Sequence, residues 1–205
     1  MTRLLLAAVL AVAAPAMKLT TADTKIAQSS LLAASDLGKG WTATKSTQRG
    51  VSFDCSGYHP NGAGIVETGA AASPNLSYGK TGPFITQETS VYATAKQANT
   101  YWQRGVKPGL VTCATQTVEQ LRSKGVKVTI TKETTLALKT ALQHTAGYRV
   151  VAKANKLTLY FDVILLGNGR LITSVALSSF QSAPPASVEE SLARLVIHKL
   201  GGPTA

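Results

Sequence analysis

Ten acidic residues, three histidines and two cysteines are all that this 205-residue chain offers for proton relays and metal ligation. Without a C-x-x-C pair or a Cys/His cluster, nothing supports a zinc or thiol-redox centre. The chain also lacks a G-x-S-x-G elbow, an H-E-x-x-H pair and a phosphate loop, and Gly62-Ala63-Gly64 is an isolated G-x-G outside a strand-to-helix context. No catalytic residue, metal ligand or cofactor is therefore assigned. Long apolar runs are missing too: residues 4–14 fall short of the ~20 needed to cross a bilayer, so no transmembrane anchor is expected. There is no internal repeat, no low-complexity tract and no sign of a second domain.

What is present begins with an N-terminus built like an export signal. Arg3 precedes the apolar run, and Ala14-Pro15-Ala16 supplies a small-x-small cleavage pattern, so residues 1–16 are expected to be a signal peptide. Residues 17–24 are then a loose mature N-terminus, 25–200 a single domain and 201–205 a tail. Export makes Cys55 and Cys113 a disulfide pair, since an even count in an oxidising compartment favours the bridge over free thiols.

The net charge of +11 is local, with twelve Lys/Arg against three Asp/Glu between residues 96 and 170. Such a face suits an anionic envelope component or acidic ligand, and serves equally as a solubilising surface. Nucleic acid is not an expected partner, because no recognised motif for it occurs.

The clearest local signals lie between residues 145 and 180. Asn168-Gly169 separates two β-rich runs and predicts a two-residue hairpin. That register puts Leu157, Leu159, Phe161, Val163 and Leu165 on one face, opposite Phe180, Ser178, Ala176, Ser174 and Ile172. A second turn at Asn155-Lys156 would bring Ala152, Val150 and Tyr148 to the same face, opposite Leu159, Phe161 and Val163.

Elsewhere, residues 41–48 and 84–93 read as strands, and a short strand is possible near 65–70 within a loop-rich stretch. Thr94 with Gln97 predicts a capping box opening a helix that Lys107-Pro108-Gly109 breaks. A second helix covers 110–124 and stops at Gly125, residues 126–131 alternate as a strand, and 136–142 fit helix or strand. Ser187 with Glu190 predicts a box opening the last helix, whose stripe is Val188, Leu192, Leu195 and Val196. Blocks of helices and hairpin-linked strands give an α+β class: a single antiparallel sheet with helices packed on its apolar face and one disulfide.

The second face of the meander is chemically mixed. Arg149 is expected opposite Asp162, and Asp162 opposite Val175, flanked by Val151, Tyr160 and Leu177. This row fits the lining of a moderately polar ligand pocket, and the plainer reading, favoured by the general habit of antiparallel sheets, is a wet face with one cross-strand ion pair. Of the histidines, only His59, in a Gly-rich loop near Asp54, is a candidate ligand or base.

The export signal, Ser35-Asp36-Leu37-Gly38-Lys39-Gly40-Trp41 after a short helix, an early Cys paired with one in a helix beyond Tyr101-Trp102, and a final strand pair before a capped helix together resemble the PknH-type extracellular sensor domain of actinobacterial proteins. The resemblance spans about residues 29–200. It implies a disulfide-stabilised α+β domain with a cleft that binds an unidentified ligand rather than catalysing. This chain departs from it in having no kinase or transmembrane segment and one possible disulfide instead of two. The expected function is thus a secreted, non-enzymatic binding or sensor-like module of the envelope. The alternatives are a small hydrolase using His59 and a structural envelope protein retained by its basic surface.

Overall fold

Residues 14–45, 55, 58–79, 82–180 and 182–202 are described by the structure, a computed structural model. Most of the expected signal peptide, Asp54 and residues 203–205 lie outside them. The strands are β1 (Ala16–Met17), β2 (Trp41–Thr44), β3 (Val66–Ala72), β4 (Asn75–Tyr78), β5 (Phe84–Tyr92), β6 (Val128–Thr135), β7 (His144–Ala154), β8 (Leu157–Asn168) and β9 (Leu171–Phe180). The helices are α1 (Thr21–Ser29), α2 (Ala95–Tyr101), α3 (Lys107–Glu119) and α4 (Ala186–Lys199).

The strands form one sheet in the order β1-β3-β5-β9-β8-β7-β6, with β4 continuing along β5 beyond β3 and β2 pairing with β4. The expectation of a purely antiparallel sheet is corrected at one edge, where β1 runs parallel to β3. The segment expected to be loose is also ordered. Met17 pairs with Glu67, and α1 starts at Thr21, its Thr20 cap accepting the Asp23 N–H. Gly69 lets α1 dock on β3, since a Cβ there would lie 2.4 Å from the Asp23 carbonyl oxygen. The expected cleavage point falls within β1.

In the meander, β7 and β8 pair in the predicted register, Tyr148, Val150 and Ala152 standing opposite Val163, Phe161 and Leu159. Asn155 takes φ 56° in the turn between them. The β8–β9 pairing differs by two residues. Leu159 faces Phe180, Phe161 faces Ser178, and Asp162 faces Leu177 rather than Val175. The reason lies in the turn. Only Gly169 has positive φ there, so Gly169-Arg170 form the loop and Asn168 stays in the strand, opposite Leu171. Asn168 is held by its own Nδ2, which donates to the Leu200 carbonyl at 3.2 Å. A slip of two leaves every side chain on its predicted face.

Helices cover both faces of the sheet, not one. On the first face α2, α3 and the turn joining them pack Tyr101, Trp102, Val106, Leu110, Ala114 and Val118 against Tyr148, Val150, Leu159, Val163 and Leu165. On the second, α4 packs Leu192, Val196 and Ile197 against Ile164, Leu166, Val175 and Leu177. α4 has no side-chain cap. Pro185 holds the N-cap position and Ser187 lies inside the helix, which corrects the expected capping box. Residues 136–142 are neither helix nor strand, yet Leu136, Leu138 and Leu142 join this second core.

Lys107-Pro108-Gly109 does not break the chain's helical path. A π-helical turn, Trp102–Val106, joins α2 to α3, and Pro108 sits in the first turn of α3. In an α-helix the Arg104 carbonyl would receive the N–H of residue 108, which proline lacks. Here it accepts the Tyr58 hydroxyl at 2.6 Å. Tyr58 also exchanges backbone bonds with Cys55, whose disulfide to Cys113 anchors the same loop to α3 with Cα atoms 5.7 Å apart. At the start of α2, Thr94 Oγ1 accepts the Gln97 N–H, but the Gln97 amide oxygen takes the Val66 N–H instead of closing the box.

Candidate functional site: a cleft between the last helix and the sheet

The six residues expected to line a pocket share the second face as read, and among the described residues none of them lines either of the two larger clefts or the cavity beneath α3. Asp162, Val175 and Leu177 have no solvent exposure, because α4 lies over them. Val151 and Tyr160 are half-buried. Arg149 grips Asp162 with two hydrogen bonds, Nε to Oδ1 at 2.6 Å and Nη2 to Oδ2 at 2.8 Å, and its guanidinium carbon lies 5.9 Å from the centre of the Tyr160 ring. The same Nη2 contacts Glu189 of α4 and donates to the Pro184 carbonyl at 3.2 Å. One cation thus ties two buried carboxylates. Burial pushes the Glu189 carboxyl up, against the pull of Arg149, so this group is an anchor for α4 rather than a solvent-facing site. Glu189 was missed because the capping reading drew attention to Glu190. The signal was there: Glu189, Leu192 and Val196 fall at i, i+3 and i+7, and an acid on an apolar stripe calls for a buried partner.

The opening on this face lies beyond β9, over β5 and β4. A cleft of about 620 Å³ runs between α4 and the β2–β4 edge. Its floor is Ile85, which pairs with Leu177 on the neighbouring strand, so floor and buried row form one continuous surface. Trp41 and Tyr78 make one wall, their ring centres 5.8 Å apart at 57°. Val188, Leu192 and Leu195 make the other, with Ser187 and Ser191 among them. Tyr78 is 50% exposed and Val188 42%, unusual for large apolar side chains facing each other across a gap.

The local sequence explains the shape. The Ala34–Asp36 turn is locked by the Asp36 carboxylate, which accepts the Ala33 N–H at 2.7 Å and pairs with Lys199 at 2.8 Å. Burial works against ionisation of Asp36, but the Lys199 and Ala33 bonds outweigh it and hold its carboxyl below the usual range. With its one rim carboxylate already paired, the cleft offers mainly aliphatic and aromatic surface. Its chemistry is that of a site for an apolar chain or ring.

Trp41 is half-buried: it packs against the second core with one side and lines the cleft. The stretch from Asp36 to Trp41 had been singled out, but its partners are more than thirty residues away. The histidines occupy separate elements: His59 is exposed in its loop, His144 opens β7 stacked on Trp102 at 4.8 Å, and His198 is near the end of α4. Asp54, the expected partner of His59, lies outside the described residues. Among the described residues three of the twelve cations in the basic stretch stand in ion pairs: Arg149 as above, Arg170 with Asp23 at 2.5 Å and Arg122 with Glu119 at 3.7 Å. Among the described residues no group of three or more His, Cys, Asp or Glu is placed to hold a metal ion, and no helix is long and apolar enough to cross a membrane.

No family model matches the chain, and no curated protein does. Among solved structures it is similar to the extracellular domain of PknH from Mycobacterium tuberculosis, with a TM-score of 0.53 and 12% identity over 87% of this chain and 96% of that one. At that identity the likeness is one of fold: the chain shares the architecture of that extracellular domain.

Proposed function

We propose that this protein is an extracellular, non-enzymatic binding module, sensor-like in architecture, that takes the apolar part of an envelope amphiphile into the cleft between α4 and β2, β4 and β5. The observation that carries the reading is the cleft itself, where Trp41, Tyr78, Ile85, Val188 and Leu195 leave a large apolar surface uncovered. The disulfide and the fold likeness to an extracellular domain are consistent with a location outside the cell. The ion group at Arg149 contributes indirectly, because it seats the N-terminal half of the helix that forms one wall.

The test uses the two tryptophans. A medium-chain fatty acid brominated along its tail should quench Trp41 on binding, whereas Trp102, buried against His144, should be spared. Trp41→Phe should remove the quenchable component, and Tyr78→Ala should weaken binding several-fold. Saturable quenching that survives Trp41→Phe would place the ligand elsewhere.

A further inference from the structure

A second cavity, of about 200 Å³, lies on the opposite face of the sheet beneath α3. Its polar side is Glu88 with Thr86 and Ser174, and its apolar side includes Leu110, Phe161 and Val163. Glu88 is the odd member. Among the described residues no cation pairs with its carboxylate and no donor hydrogen-bonds to it. Glu67 on β3, the next strand, adds a second negative group, and one of its carboxylate oxygens is buried without a hydrogen-bond partner. A half-buried carboxylate with a like-charged neighbour is costly to ionise unless a cation arrives.

We propose that this cavity is a binding site for a small organic ammonium ion, whose charge is held by Glu88 and whose short aliphatic part is held by Leu110, Phe161 and Val163. Thr86 and Ser174 supply oxygens for its remaining N–H donors. At this volume the site suits a short-chain amine and not a larger ligand. The lining, with a single carboxylate and the hydroxyls of Thr86, Thr117 and Ser174, also disfavours a hard divalent cation, which takes six or more oxygens.

The charged surroundings set the pH response. Burial, then Glu67, pushes the Glu88 carboxyl up to about 7, and burial also raises Glu67, opposed by a hydrogen bond from Ser90. The residues lining the cavity from α3, β8 and β9 are Leu110, Cys113, Ala114, Thr117, Phe161, Val163, Ser174 and Ala176, and none titrates, Cys113 being disulfide-bonded. Tyr92, beside Glu67, is pushed well above the ordinary phenol value, chiefly by burial, and carries no charge in this range. An alkylammonium stays protonated across neutrality, so its binding should tighten as Glu88 loses its proton.

The experiment is a titration of the full chain with n-butylammonium chloride, followed by amide chemical shifts, with butan-1-ol and calcium chloride as parallel probes. The expected result is saturable binding of butylammonium, at least tenfold tighter than butan-1-ol, and tighter at pH 8 than at pH 5.5. Glu88→Gln should weaken it at least tenfold while leaving the shift dispersion of the fold intact. Ala176→Leu, which fills the cavity and leaves Glu88 in place, should do the same. Equal binding of alcohol and amine, binding by calcium alone, no pH dependence, or unchanged binding in Glu88→Gln would each overturn the assignment.

Discussion

Arg149 and Asp162 face each other across the β7–β8 pairing, joined by two near-parallel hydrogen bonds where the aspartate has no contact with solvent. Glu189 reaches the same guanidinium from α4, so this pair is where the last helix is pinned to the sheet.

Asp162→Ala removes one carboxylate and leaves Arg149 partly stranded, and breaking a buried pair in this way costs about 3–5 kcal/mol. Chemical denaturation should show that loss. Replacing Arg149, Asp162 and Glu189 together with Met, Leu and Leu, so that no buried charge is left without its partner, should recover part of it. A surface ion pair would lose well under 1 kcal/mol, so a small effect of Asp162→Ala would contradict its burial.

Glu88 gives a pH dependence of definite sign. Its carboxyl titrates near 7 in the fold against 4.5 as the ordinary value, so the folded protein holds this proton more tightly than the unfolded chain. Below the ordinary value the group costs nothing. As pH rises toward 7 the folded state progressively loses relative stability, and above 7 the penalty is constant. Melting curves between pH 5 and 8 should show a smaller decline for Glu88→Gln than for the parent, and an equal decline would be contrary to this reading.

Gln87 is fully buried and bridges three elements. Its Oε1 accepts the Leu32 N–H at 2.7 Å, and its Nε2 donates to the Ser30 carbonyl at 3.0 Å and to Thr173 Oγ1 at 3.1 Å. Gln87→Leu strips two buried backbone groups of their partners, at about 1–3 kcal/mol each. Hydrogen exchange should then show faster opening of α1 and the turn after it than of β7.

The loop holding Cys55 is fastened twice to the α2–α3 unit, by the disulfide and by the Tyr58 hydroxyl. Closing a 58-residue separation contributes up to ~4 kcal/mol in the chain-entropy picture. Tyr58→Phe should cost about 1 kcal/mol, because the Arg104 carbonyl loses the donor that stands in for the missing proline N–H. Equilibrium denaturation of Tyr58→Phe and of the double variant Cys55→Ala, Cys113→Ala checks both, and a neutral Tyr58→Phe would mean that water satisfies that carbonyl.

The meander was legible because alternation and two short turns act locally. Residues 145–168 show their face by period alone, and an error of two in the second turn changed partners without changing faces. The second face was misjudged for a physical reason. Asp162 directly precedes Val163-Ile164-Leu165-Leu166, a continuous apolar run of the kind found in strands buried on both sides. Arg149 and Asp162 alone point to a wet face, but Ile164, Val175 and Leu177 on the same face form the floor on which α4 packs. The π turn was not legible, since Pro108 signals a break whether or not a hydroxyl elsewhere rescues the freed carbonyl. The cleft could not be read at all. It is a gap between the segments around Trp41, Tyr78 and Val188, and periodicity reports what an element buries, not what two elements leave uncovered.

The central claim is that the apolar cleft under α4 is the ligand site, and amide and methyl chemical shifts during titration with decanoate test it most directly. The account predicts saturable shifts at Trp41, Tyr78, Ile85, Val188 and Leu195, with the cavity beneath α3 unaffected. Shifts confined to the α2–α3 face, or none at concentrations below micelle formation, would contradict it.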